Sequence, residues 1–144
     1  MTKRETAMAA LLALLQPALT GHSVRRATGT PEPIPPGFAL VLLHDGSCIE
    51  AEPLLSPLRY EIVWQAAITI DADTAATRDA ATEALTACLL ANPTLAGSVD
   101  WVEIGMPEAE VVSTPSLEGM GQQPPVFAVS IPLSLHYVAN TPAG

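Results

Sequence analysis

The segment VFAVSIPLSLHYV, from Val126 to Val138, alternates almost without interruption. Phe127, Val129, Ile131, Leu133, Leu135 and Tyr137 fall on one face, and Ala128, Ser130, Pro132, Ser134 and His136 on the other. Successive side chains leave a strand on opposite sides, so a period of two over this length is a β-strand with one buried face. Between Tyr60 and Ile70 the pattern recurs: Tyr60, Ile62, Trp64, Ala66, Ile68 and Ile70 oppose Glu61, Val63, Gln65, Ala67 and Thr69. Such strands require a sheet with something packed on one side. Pro132 adds a constraint, because it has no N–H to give to a ladder; it implies either a bulge at that point or an edge position for the strand.

Two segments have the period of a helix and supply the cover. Thr2 to Gln16 places Met8, Leu11, Leu12, Leu15 and, beyond it, Leu19 at helical spacing, with Thr2 and Glu5 spaced as a capping box and Pro17 expected to end or kink the helix. The start of this segment also has the basic-then-apolar order of a signal peptide. Glu5 interrupts that order, Gln16-Pro17 cuts the apolar run short and no small-residue cleavage site follows, so the expected structure is a packing helix. Thr74 to Ala91 has an apolar face of Ala81, Ala84, Leu85, Cys88 and Leu89, with Asp71 and Asp73 placed to cap its start.

Between these elements the chain is punctuated. Residues 20–37 form a Pro-rich connection, densest from Pro31 to Pro36, and are expected to run extended. Phe38 to Leu43 reads as a strand ending at Asp45-Gly46, a dipeptide that favours a hairpin turn, with a weaker return strand over Cys48 to Leu54. Val99 to Ile104 reads as a short strand, and residues 105–123 as a long loop. The expected fold is therefore α+β: a mixed, mainly antiparallel sheet of roughly four to five strands with two helices on one face, in a single domain spanning 1–144.

With 144 residues the chain can bury about 70% of its unfolded surface without a metal or disulfide. Its 15 acidic residues against 6 basic ones give a net charge of -9, which repels a phosphate backbone, and the only basic pairs are Lys3-Arg4 and Arg25-Arg26. Cys48 and Cys88 have neither metal nor redox spacing and read as free thiols. His44, Asp45, Cys48 and His136 match no strong zinc pattern, so no metal and no other cofactor is expected. No nucleophile motif occurs. Gly119 to Pro124 lacks the strand, helix and basic residue of a phosphate loop, and Asp71 and Asp73, Glu50 and Glu52, and Glu108 and Glu110 read as caps or solvated acids rather than catalytic pairs. The expectation is a protein that works through its surface and is not an enzyme.

The segments PEPIPPGFALVLLHDG, LLSPLRYEIVWQAAITI and DWVEIGMPE, together with the N-terminal TAMAALLALLQPAL, resemble the tail-terminator (tail-completion) proteins of long-tailed phages, in the versions found in proteobacterial prophages and gene-transfer-agent-like clusters. The resemblance covers almost the whole chain and rests on element order and loose strings. It implies a homohexameric ring on the head-proximal end of the tail tube, assembled in the bacterial cytoplasm, which halts tube polymerisation and joins the neck. The implied partners are other copies of the chain, the tube protein and a neck or head-tail connector protein; DNA passes without specific binding, and no membrane is involved. A connector component of the same particle and a small α+β ligand-binding domain are the alternatives. Candidate assembly-interface residues are Arg25 and Arg26 in the connection, Asp45 and Gly46 at the expected turn, Met106, Glu108 and Met120 in the long loop, and Pro132 in the last strand.

Overall fold

Thr2 opens the first helix, α1 (Lys3–Ala18): its hydroxyl accepts the Glu5 N–H at 3.2 Å, satisfying a donor that the first turn leaves without a partner. The computed structural model to which this belongs describes residues 2–30, 32–112 and 125–141. Ala7, Met8, Leu11 and Leu15 form the buried stripe of α1, and Leu19 continues it. Pro17 does not end the helix at Gln16. It lies in the last turn, where it forgoes one ladder bond, and the Leu19 N–H still reaches the Leu15 carbonyl at 2.9 Å.

The second helix, α2 (Ala75–Ala91), is capped by Thr74, whose hydroxyl accepts the Thr77 N–H at 3.2 Å. Asp71 and Asp73 do not cap it, because the preceding strand runs on through Ala72 and only Thr74 reaches the first turn. Its buried stripe is Ala81, Leu85 and Leu89, four residues apart, with Ala84 and Cys88 half-buried beside it.

Both helices lie on one face of a six-stranded sheet. β1 (Ser23–Arg26) runs parallel to β2 (Leu40–Leu55); β2 is antiparallel to β3 (Leu58–Ala72), and β3 to β6 (Val126–Ala139). The other side of β6 carries β4 (Trp101–Ile104) and β5 (Glu108–Val112) end to end. The fold is thus the expected mixed, mainly antiparallel α+β arrangement. Two of its strands, β1 and β5, lie inside the segments read as the Pro-rich connection and the long loop. The alternation along β3 and β6 is reproduced in register: Ile62 faces Tyr137, Ala66 faces Leu133, Ile68 faces Ile131 and Ile70 faces Val129, all buried against the helices.

Asp45-Gly46 is not a hairpin turn. β2 continues through it to Leu55, with a register shift against β3 between His44 and Ser47, and the chain reverses at Ser56-Pro57, where Leu55 pairs with Leu58. Gly46 has φ +67°, and a side chain there would run into the Gln65 carbonyl of β3, so the glycine forms a bulge rather than a loop.

Pro132 is not on an edge either, since β6 is flanked on both sides. Its carbonyl accepts the Gly105 N–H at 2.8 Å, so its missing N–H points towards the β4/β5 side. There the pairing jumps from Ile104–Leu133 to Glu108–Ser130, leaving Gly105, Met106 and Pro107 opposite Ile131 and Pro132. The proline falls at this break, and the β3 ladder loses nothing.

Candidate functional site

The helices cover one face of the sheet, and among the described residues no helix covers the other. The strand pairing sets out that outer face in rows. Thr69, Ser130 and Glu108 form one, Gln65, Ser134 and Glu103 another, and Val63, His136 and Trp101 a third, with Ala67 beside Pro132 between them. The middle of the face is small and weakly polar, whereas its margins carry carboxylates.

At one margin Trp101 stacks on His136, with ring centroids 4.2 Å apart and an interplanar angle of 16°, and Glu103 Oε2 lies 3.9 Å from His136 Nε2. These rings and Glu50, Glu52, Glu61 and Val63 line an open recess of about 200 Å³. Three carboxylates around a shallow recess favour a cationic or hydrogen-bond-donating surface over an anion. At the opposite margin the chain after β1 passes beside β2, leaving a groove of about 350 Å³ lined by Thr28, Thr30, Glu32, Leu42 and His44 among others. Arg25 and Glu32, 3.2 Å apart, hold this chain segment, and His44 shares a 3.0 Å hydrogen bond with Thr69. Among the described residues no group of three or more His, Cys, Asp or Glu side chains is placed to hold a metal ion, and no helix is long and apolar enough to cross a membrane.

Burial and neighbouring charge shift several groups. Asp71, half-covered on the outer face, is pushed above the ordinary carboxylate range by burial first and by the Glu110 charge second, with His44 opposing. On the helix side the Tyr137 phenol is raised mainly by burial, and its hydroxyl has no hydrogen-bond partner among the described residues. Burial also raises the Cys88 thiol. The Arg26 guanidinium hydrogen-bonds both oxygens of Glu5, at 2.8 and 3.2 Å, and Asp45 at 2.6 Å, so the Glu5 carboxyl is lowered and Arg26 raised.

These contacts locate the candidate interface residues. Arg26 and Asp45 tie β1 and the β2 bulge to the start of α1, while Trp64 Nε1 donates to the Asp45 carbonyl and Arg4 lies 4.8 Å over the Trp64 ring. Arg25 is on the outer side, held to Glu32. Gly46 is inside the bulge against β3, Met106 is 83% exposed at the β4/β5 break, Glu108 begins β5 on the outer face, and Pro132 is on the same face one strand inward. Met120 lies outside the described residues. The set is therefore not one patch: Met106, Glu108 and Pro132 are neighbours, and Arg26 and Asp45 are partners elsewhere.

Sequence reasoning passed over two surface features. One is the Trp101–His136 stack, foreshadowed only by the placing of Trp101 in a short strand and of His136 on the polar face of the last one. The other is the tip of the β2–β3 hairpin, where Leu54, Leu55 and Leu58 are 40%, 83% and 57% exposed. Leucines on both sides of a Ser-Pro reversal were the available signal. Comparisons with protein-family models and with curated proteins gave no match to this chain.

Proposed function

We propose that the chain is a structural assembly protein, a tail terminator of a long-tailed phage or related particle that forms a ring on the head-proximal end of the tail tube. In this role it ends tube polymerisation, offers a joining surface to the neck, and is built into the particle in the bacterial cytoplasm. The observation that carries the proposal is the contrast between the two faces of the sheet. One is filled by helices, with buried side chains that are apolar among the described residues apart from the Tyr137 hydroxyl; the other is a broad, small-residue exterior whose recesses are open. Such an architecture suits contact with large surfaces more than enclosure of a small substrate. The resemblance over the quoted segments supplies the particular assembly, and a ring subunit needs two unlike surfaces that close on each other. Carboxylates along the exterior would leave passing nucleic acid unbound.

The test is tube assembly. Purified tube protein polymerised with this chain should stop at shorter lengths and show a ring at one end by electron microscopy, and native mass spectrometry of the ring should give a sixfold mass. A protein that stays monomeric and leaves tube length unchanged would refute the proposal.

A further inference from the structure

The β2–β3 hairpin outruns the rest of the sheet. From Asp45 onward every residue of β2 is exposed, and β6 stops pairing with β3 at Ala139 opposite Tyr60. Among the described residues Leu54, Leu55, Leu58 and Arg59 therefore pair only with one another, at the tip. By strand alternation Leu55 and Leu58 continue the helix-side face, while Leu54 and Arg59 continue the outer face. Apolar side chains at such a tip are only partly covered by the described residues of one subunit.

A second exposed apolar area lies at the opposite corner. β5 is exposed along its whole length, with Val111 56% and Val112 42% accessible. Register puts Val111 on the helix-side face, and Glu108, Glu110 and Val112 on the outer face. The other two edge strands are closed in part by their own chain: the Gln16 side-chain amide donates to the Val24 carbonyl of β1, and the Val102 N–H of β4 donates to the Pro93 carbonyl. No hydrogen bond of this kind covers the outer edge of β5 among the described residues.

The tip and β5 match. Set side by side as one continuous sheet, they place Leu55 and Leu58 against Val111 on one face, and Leu54 against Val112 on the other. Arg59 is the only arginine or lysine on the hairpin and makes no ion pair among the described residues, and it would meet Glu108 and Glu110 on the outer face. Glu110 already raises the Asp71 carboxyl, so a cation arriving there relieves an existing repulsion. One subunit cannot make this contact with itself. β5 pairs with Val126 to Ser130, the tip lies past Ala139, and the length of β6 between them is roughly 30 Å at about 3.3 Å per residue.

We infer that the β2–β3 tip of one subunit docks on the β5 edge of a second copy, head to tail, with Arg59 paired to Glu108 and Glu110 of its neighbour. A contact between unlike patches repeats around a ring or along a filament and does not stop at a dimer. The inference rests on the ring reading above and gives that ring its subunit contact.

The test is a charge exchange read by sedimentation and native mass spectrometry, with a thermal melt on every variant to establish that it folds. Arg59→Glu sets a glutamate against Glu108 and Glu110, and Glu108→Arg with Glu110→Arg sets arginines against Arg59; each variant alone should self-associate about tenfold or more weakly than wild type. Mixed in equal amounts, the two should regain the wild-type oligomer, because every junction in an alternating ring then joins opposite charges. Leu55→Ser with Leu58→Ser should weaken association with an unchanged melt. Variants that assemble as well as wild type, a mixture that fails to recover, or tip variants that keep the ring and lose only tube binding would each overturn the contact. Tube shortening, measured in parallel, keeps the two conclusions apart: variants that still form rings and cap tubes refute the contact alone, whereas a monomeric wild type that caps nothing refutes the ring as well.

Discussion

Gly46 gives the sharpest measurement of what the fold requires. It sits in the β2 bulge at φ +67°, where an L side chain costs about 1–2 kcal/mol, and an added Cβ would also overlap the Gln65 carbonyl of β3. That carbonyl belongs to the strand that pairs with both β2 and β6, so it cannot swing aside without disturbing ladder bonds worth about 1 kcal/mol each. Gly46→Ala should therefore cost about 2–4 kcal/mol, a large part of the roughly 5–15 kcal/mol that holds a domain together. Gly46→Asn is the decisive companion. Asparagine tolerates positive φ, so in an open hairpin turn it would recover most of the loss, but in the bulge it meets the same carbonyl. Urea unfolding followed by circular dichroism should show both midpoints lowered, with Asn within about 1 kcal/mol of Ala. An Asn variant within about 0.5 kcal/mol of wild type would mean that the overlap does not exist and that the bulge is misplaced.

Two further substitutions test other parts of the structure. Tyr137→Phe should stabilise the protein by about 1 kcal/mol in the same urea assay, because it removes a buried hydroxyl that has no partner among the described residues and leaves the ring packing intact. Asp71→Asn should be more stable than wild type at neutral pH. Burial holds the folded carboxyl above its ordinary range, so between about pH 4 and the folded titration the native state binds more protons than the unfolded chain, and wild-type stability falls as pH rises through that window. The advantage of Asn should therefore shrink as pH is lowered from neutral towards about 4 and level off below it, and an advantage independent of pH would refute the assignment.

The elements legible in the sequence were those whose period is sustained. β3 and β6 alternate over ten or so positions, and the helices repeat apolar residues over several turns, so their buried faces could be assigned residue by residue. β1 and β5 are too short for a period to register. Only Val24 of β1 is buried, no residue of β5 is, and both segments are strands because β2 and β6 offer them open edges. Asp45-Gly46 failed for another reason. A hairpin turn and a bulge both call for glycine at positive φ, so the dipeptide alone does not separate them. Length does: β3 requires a partner of its own length, and a β2 ending at His44 would have left half of β3 uncovered. The acidic margins were visible as charges, but their gathering on one face depended on a register that only the folded sheet fixes.

That register also gives Pro132 its meaning. Even-numbered residues of β6 turn their side chains to the outer face and their backbone groups towards β4 and β5, as the Pro132 and His136 carbonyls show by accepting the N–H groups of Gly105 and Asp100. A proline at an odd position would have cut the ladder to β3, the pairing that holds the centre of the sheet. At position 132 its cost falls on the weaker side, where Pro107 on the opposing chain also has no N–H to give. The two prolines make continuous pairing along that edge impossible. The edge strand consequently divides into β4, whose outer side is bonded to the loop after α2, and β5, whose outer side has no such bond among the described residues. A single uninterrupted edge strand would offer its whole length for strand addition, the usual route to disordered aggregation. Division leaves five residues exposed, enough to seat a hairpin tip in one register and too few to template a growing sheet.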